Sequence, residues 1–186
     1  MKTQKIALGG GCHWCTEAVF QSLNGVEKVE QGFVASVNGN EVFSEAVIVH
    51  FNQETIPLPV LVEIHLRTHS STSNHAMRSK YRSAIYTFSE EQALQCRRVL
   101  QELQALFSEP LVTQVVPFSA FKASGEEVQH YYFSNPEKPF CQSFINPKLR
   151  LLLRQFAAHT NLEKLGHLQS KKAPGAKHKA KKRSQG

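Results

Sequence analysis

Residues 9–20 read Gly-Gly-Gly-Cys-His-Trp-Cys-Thr-Glu-Ala-Val-Phe, which puts His13 and Trp14, the single tryptophan of the chain, between Cys12 and Cys15. Two thiols at this spacing admit three chemistries: structural thiols, half of a metal clip, or a redox-active pair. The glycines let the backbone turn sharply and leave the following sulfur accessible. If a helix begins at that point, its unpaired N–H groups and positive end favour thiolate over thiol. Cys12 is then an attacking sulfur, with His13 as a neighbouring titratable ring and Trp14 as a flat apolar wall. A zinc clip would need a second pair, and His65 with His69 could supply it from one helical face. Their distance along the chain far exceeds zinc-finger spacing, and Cys96 and Cys141 come unpaired. No bound metal is expected. A thioredoxin-like dithiol expects a different βαβ setting and a cis-proline partner for which the chain offers no firm candidate.

The elements around this motif follow from periodicity. Lys5–Leu8 is a short apolar strand that stops at the glycines, and Trp14–Leu23 carries a helical stripe closed by Asn24-Gly25. Strands are expected over 26–37, 46–51, 83–88 and 111–118. Helices are expected over 57–68 and, as the longest, from Ser89 to Pro110; 126–133 reads as a short helix or turn and 148–156 as a terminal helix. The order β-α-β-β-α-β-α-β predicts an α+β fold, a ferredoxin-like α-β sandwich or plait with helices packed on a mixed sheet. The polar, unpatterned stretch 69–80 reads as a long loop, and a loop of that length inside a compact domain is usually functional or disordered.

With 186 residues, 41% of them apolar and 20% charged, the chain suits one globular domain. Four scattered cysteines do not make a secreted disulfide scaffold, and Cys-x-x-Cys fits a reducing compartment. No stretch approaches a membrane span, and the apolar run near the N-terminus is too short for a signal-peptide core, so a cytoplasmic, non-membrane and monomeric protein is expected. The net charge of +7 is local: seven Lys and Arg lie in 171–186, and the remainder is balanced. A catalytic domain over 1–160 and a basic, disordered tail over 161–186 are therefore expected, the tail offering at most weak polyanion contact.

The motif GGGCHWCTEAVFQSLNGV resembles the signature of methionine sulfoxide reductase A, in which glycines precede Cys-Phe-Trp and an acidic residue follows. The resemblance continues in order along residues 5–156. Phe43-Ser44-Glu45-Ala46-Val47 is similar to the family's His-Ala-Glu strand start, and Lys80-Tyr81-Arg82-Ser83 to its Gln-Tyr-Arg-Ser block. Val116-Pro117-Phe118, Tyr131-Tyr132 through Asn135-Pro136, Pro139-Phe140-Cys141 and Pro147-Lys148-Leu149 match later landmarks.

The resemblance implies reduction of methionine S-sulfoxide, free or in proteins, as repair under oxidative stress. Cys12 would attack the sulfoxide sulfur, Glu45, a carboxyl kept protonated by burial, would protonate the departing oxygen, and Tyr81 would hydrogen-bond that oxygen. Trp14 would receive the S-methyl group. Cys12 would become a sulfenic acid, resolved by Cys15 as the favoured partner or by Cys141, which sits in a segment similar to a mobile arm of other members; thioredoxin would reduce the disulfide, with no bound cofactor. Cys96 reads as a half-buried bystander and Glu17 as a first-turn residue complementing the helix dipole.

The chain also departs from the pattern. His13 replaces a phenylalanine of the methyl pocket, either aiding thiolate formation or relaxing methyl recognition. Phe33 replaces a common tyrosine, and the segment between Phe33 and Glu45 is short and lacks a second tyrosine. Ala76 stands where the family has a substrate-binding aspartate, with Asn74 and His75 as stand-ins, and Val128-Gln129 replaces a His-Gln pair. Altered preference among sulfoxides is expected. The competing readings are a related thiol oxidoreductase using Cys12 and Cys15 on another substrate, and a non-catalytic binding module whose basic tail engages RNA.

Overall fold

A computed structural model describes residues 3–169. Strand β1 (Thr3–Gly9) leads into helix α1 (His13–Gln21), followed by β2 (Val26–Ala35), β3 (Ser44–Asn52), α2 (Leu58–Thr68), β4 (Ala84–Thr87) and α3 (Glu90–Leu103). Strands β5 (Gln114–Pro117) and β6 (Ala120–Ala123) come next, then the short α4 (Tyr131–Ser134), α5 (Asn146–Gln155) and α6 (Gly166–Gln169). The sheet runs β5-β4-β1-β3-β2-β6. Its inner strands are antiparallel in the order β4-β1-β3-β2, the ferredoxin-like plait. At the edges β6 joins antiparallel to β2, and β5 joins parallel to β4 after the α3 crossover. The α+β fold expected from the element order is the one the chain adopts.

Strand alternation sorts the core. Ile6 and Leu8 of β1, with Val47, Val49 and Phe51 of β3, point to the helices and bury against Ala18, Val19 and Phe20 of α1 and Leu61, Val62 and Ile64 of α2. The intervening Ala7, Ala46 and Ile48 point to the other face, where they meet Tyr86 and Val34 in a smaller cluster. Helix α3 begins where Ser89 accepts the Gln92 N–H, with Glu90 and Glu91 in the first turn.

Several elements differ from expectation. The strand expected over 111–118 is confined to β5, and β6 carries no apolar alternation, since its pairing to β2 at the sheet edge rather than burial makes it a strand. The stretch 126–133 divides into a 3-10 turn, Glu126–Val128, and α4. Between them His130 adopts a left-handed φ of 52°, held by Glu17 accepting its N–H at 2.9 Å and by Gln21 on its ring. The terminal helix starts earlier than expected, through a widened turn Cys141–Ile145. At the C-terminal end Leu165 and Leu168 bury in the main core and Tyr132 Oη meets His167 Nε2 at 2.7 Å, so 161–169 pack on the body instead of opening a tail at 161. The basic run 171–186 lies outside the described residues. Among those residues no helix is long and apolar enough to cross a membrane.

Leu165 is fully buried, so Leu165→Ala should lower the free energy of unfolding by about 2–4 kcal/mol. Urea unfolding followed by circular dichroism measures it, and a segment merely lying on the surface would show almost no change.

Candidate active site

Cys12 is the residue that caps α1. Its carbonyl accepts the N–H of Cys15 at 3.1 Å and of Thr16 at 3.2 Å, the first bonds of the helix. The sulfur therefore stands at the positive end of α1 with free backbone amides before it. The thiol titrates at about 7 instead of 9.0. The largest cause is the Cys15 thiol, one turn on, which donates to it; burial opposes the shift, the amides of Cys15 and Trp14 support it, and the charge of Glu45 works against it. Cys15 shifts strongly upward, because its proton is engaged with Cys12, because it is buried, and because a thiolate at Cys12 repels a second one. Two thiols one turn apart thus differ in role: one is ready to ionise and the other stays protonated.

The glycines make this geometry possible. Gly10 lies against the His69 ring, where a Cβ would clash. That ring is fixed by Nδ1 on the His65 carbonyl at 2.6 Å and Nε2 on Ser83 Oγ at 2.8 Å, and burial lowers its titration to about 4. His65 and His69 stack on each other, centroids 4.2 Å apart. Among the described residues no three His, Cys, Asp or Glu side chains converge on a metal position.

Glu45 enters from β3, directly opposite Phe33 on β2. It is 7% exposed. Its Oε2 accepts the His13 backbone N–H at 3.1 Å, one peptide from Cys12, and its Oε1 faces Lys80 Nζ at 3.5 Å. The strand start is tied to the far end of the 69–80 loop: Glu45 N–H donates to the Lys80 carbonyl at 3.0 Å, and Ser44 Oγ bridges that carbonyl and the Arg82 N–H. This brings Tyr81 to the same place, with Lys80 Nζ 5.0 Å from its ring centroid. The Tyr81 hydroxyl, then the Glu45 carboxylate, raise the titration of Lys80.

The loop itself is ordered by one side chain. The Arg78 guanidinium donates to the carbonyls of Gly10, Ser70, Ser73 and Tyr81. A planar fork with several donors suits that task as no lysine could. Within the loop, His75 Nδ1 accepts the Met77 N–H at 3.2 Å and caps a 3-10 turn, Ala76–Ser79.

Trp14 lies against aromatic partners, stacked on Tyr131 at 4.1 Å and 10° and meeting Phe140 edge-on at 5.4 Å. Its Nε1–H is buried without a hydrogen-bond partner among the described residues. Behind this stack, Glu17 is buried and accepts from Gln31 Nε2 at 2.7 Å and from the N–H groups of His130 and Tyr131. Glu17 is therefore an anchor for Tyr131 and not a first-turn complement to the helix dipole.

A cavity of about 520 Å³ opens beside Cys12. Cys15, His75, Tyr81, Phe140 and Lys148 share its lining, and exposed Met77 and Phe144 form part of its apolar rim. A second cavity of about 850 Å³ is bordered by Val29, Phe121, Phe133 and Lys164, and neither of these thiols lines it. Lys148 donates to the Thr68 carbonyl, and burial lowers its titration while the charges of Cys15 and Cys12 oppose that shift. Lys80 and Lys148 fall within the resembling blocks, but spacing gives neither a site role. A lysine at a loop end or on a helix reads as a solvated charge until the fold is known.

The structure brings Cys12, Cys15, Tyr81 and His75 to one cavity; Glu45 and Phe33 meet His13 beside it, and Trp14 packs on Tyr131 and Phe140 without lining it. His13, the polar and titratable replacement for a phenylalanine, has its Nδ1 2.8 Å from the Gly32 carbonyl and its Nε2 3.8 Å from Glu45 Oε2, with Phe33 edge-on at 5.1 Å. Cys141 is fully buried in the core at the widened turn, where burial raises its titration, and is not carried on a mobile arm. Cys96 is also fully buried, pushed up to about 11 by desolvation.

The family described as "Peptide methionine sulfoxide reductase" matches residues 4–161. Peptide methionine sulfoxide reductase MsrA of Psychrobacter sp. (strain PRwf-1) is 36% identical over 169 residues, 82% of this chain and 96% of its own length. The MsrA of Deinococcus radiodurans is 34% identical over 169 residues, 82% of each chain. Among solved structures, reduced Mxr1 from Saccharomyces cerevisiae superposes with a TM-score of 0.67 at 23% identity, covering 75% of this chain and 90% of that one. Mxr1 in complex with Trx2 gives 0.56 at 25% identity, covering 70% and 85%. Fold, thiol pair and these matches together define the class: the chain belongs to the peptide methionine sulfoxide reductase family.

Alkylation of Cys12 by iodoacetamide should rise with pH around a midpoint near 7. Cys15→Ala removes the main donor and should move that midpoint up by roughly one unit, whereas Cys15→Ser, which keeps a donor, should move it less. Mass spectrometry of the modified peptide reads both.

Proposed function

We propose that the chain reduces methionine S-sulfoxide, in proteins or as the free amino acid, with Cys12 as nucleophile. The observation that carries this reading is the Cys12 thiol, titrating at about 7 and placed one peptide bond from the amide that Glu45 accepts. Sulfoxide sulfur is electrophilic only as its oxygen gains a proton, so the chemistry needs a thiolate and an acid on opposite sides of one bond. The thiolate attacks sulfur, Glu45 serves the oxygen, and Tyr81 donates to it. The substrate leaves as methionine and Cys12 keeps the oxygen as a sulfenic acid: sulfur of the substrate gains two electrons and Cys12 loses them. The S-methyl group rests on the Trp14–Tyr131 stack, where sulfur and methyl contacts with ring faces are favourable.

Cys15 then attacks the sulfenic sulfur, forming a disulfide and releasing the oxygen as water. Cys15 lies one helical turn from Cys12, which favours it over Cys141, fully buried at the widened turn. A dithiol such as thioredoxin reduces the disulfide; the Mxr1–Trx2 complex of a relative supports that partner. A cytoplasmic setting suits such a cycle, and the four cysteines are free thiols in this structure.

Thioredoxin-coupled NADPH oxidation with separate methionine sulfoxide epimers tests the proposal. The S epimer should turn over and the R epimer should not. Cys12→Ser should abolish turnover, Cys15→Ser should yield about one methionine per chain before stalling, and Glu45→Gln should slow the reaction by about a hundredfold or more. Turnover that persists in Cys12→Ser contradicts the proposal.

A further inference from the structure

Two side chains that can carry charge, His13 and Lys80, converge on one buried carboxylate, Glu45. Glu45 Oε2 accepts the His13 N–H at 3.1 Å and lies 3.8 Å from His13 Nε2, while Oε1 faces Lys80 Nζ at 3.5 Å. Both oxygens already face nitrogen donors. A carboxyl holding its own proton would have to point that hydrogen at, or place it beside, one of them. The imidazole offers another seat. Its Nδ1 is bound to a carbonyl that can only accept, so Nδ1 carries a hydrogen and Nε2 is the nitrogen left to gain or lose one. The ring is buried, so what it faces is defined. From β3 it faces Glu45, with Lys80 beyond; from β2 it meets the Gly32 carbonyl and the Phe33 ring, whose partner on β6 is Lys122; on its own element the adjoining titratable group is Cys12.

We propose that the proton passed to the sulfoxide oxygen is held by a His13–Glu45 pair, with Lys80 keeping Glu45 as the anionic member and His13 Nε2 as the seat of the proton. The inference rests on the reductase reading above. Glu45 touches the departing oxygen; His13 acts through Glu45 and is a positioning residue. In the balanced step the Cys12 thiolate and the imidazolium enter, the substrate S–O bond breaks, and Cys12 gains S–OH. Neutral imidazole, anionic Glu45 and the sulfide leave, and solvent returns the proton to Nε2. The two side chains complement each other: Lys80 holds Glu45 ionised, and His13 carries the proton that Glu45 then lacks.

The test is single-turnover reduction of methionine S-sulfoxide from about pH 5 to about pH 9, quantified as methionine formed. It compares the unsubstituted chain, His13→Phe, Lys80→Gln and the double variant His13→Phe/Lys80→Gln. His13→Phe should be about tenfold slower than the unsubstituted chain near neutral pH, and that ratio, in which the loss of Cys12 thiolate common to both cancels, should close as pH falls. The double variant, in which Glu45 loses the Lys80 cation and can hold the proton itself, should regain most of the rate lost in His13→Phe. Cys12 alkylation rates, followed in parallel, report that the fold and the thiolate persist. If His13→Phe disturbs them, His13→Gln replaces it, since an amide can still donate to Gly32 but holds no exchangeable charge. Identical pH profiles with and without His13, or a double variant no faster than His13→Phe, overturn the pair and leave the reductase reading standing. No reduction by the unsubstituted chain overturns both.

Discussion

The coupling of the Cys15 thiol to the Cys12 sulfur, which draws one titration down and pushes the other up, is the interaction on which the site depends. Two identical side chains one helical turn apart would otherwise compete for the same ionisation. The end of α1 breaks the tie, because Cys12 sits before the free amides and Cys15 sits inside the helix. The donor that stabilises one thiolate is by the same act held protonated. The proposed two-thiol cycle requires that order: Cys12 is ready before substrate binds, and Cys15 releases its proton only once Cys12 has been oxidised and no longer accepts it.

Holding that turn in place is the task of the fold. Helix α1 is buried along Ala18, Val19 and Phe20, and its polar side chains are enlisted rather than solvated: Glu17 reaches across to cap α4 and set Tyr131 against Trp14. On the other side of the sulfur, Arg78 gathers carbonyls from β1's end and the long loop, and Ser44 joins the loop's end to β3. Backbone carbonyls and one guanidinium thereby set the position of Glu45 and Tyr81 relative to Cys12, although these residues lie far apart in sequence. Preorganisation of this kind is what the proposed acid and nucleophile need in order to cooperate.

Much of this was legible in the residues. The glycine run, the Cys12–Trp14 helix start and the alternation in β1 and β3 read directly because each is a local signal tied to burial or to a helix terminus. The plait followed from element order. What did not read was whatever long-range pairing decides. Strand β6 owes its conformation to an edge, not to a pattern. The loop 69–80 looks unstructured because the side chain that orders it bonds to carbonyls, which carry no sequence signature. Leu165 and Leu168 were lost beside a basic run. That His13 brings a polar, titratable ring is legible, but not that when buried it turns towards the Gly32 carbonyl and the Glu45 carboxylate. Cys141 looked like a mobile thiol for its Asn- and Pro-rich surroundings, whereas Tyr131, Phe140 and Ile145 help fold that segment onto the core.

The account stands on the partnership of Cys12 with Cys15. Its most direct test is to treat the reduced protein with one equivalent of methionine S-sulfoxide in the absence of any reductant, quench in acid, and map the disulfide by peptide mass spectrometry. A Cys12–Cys15 bond formed in step with one equivalent of methionine is the predicted result. A Cys12–Cys141 bond with Cys15 left as a free thiol would contradict the account.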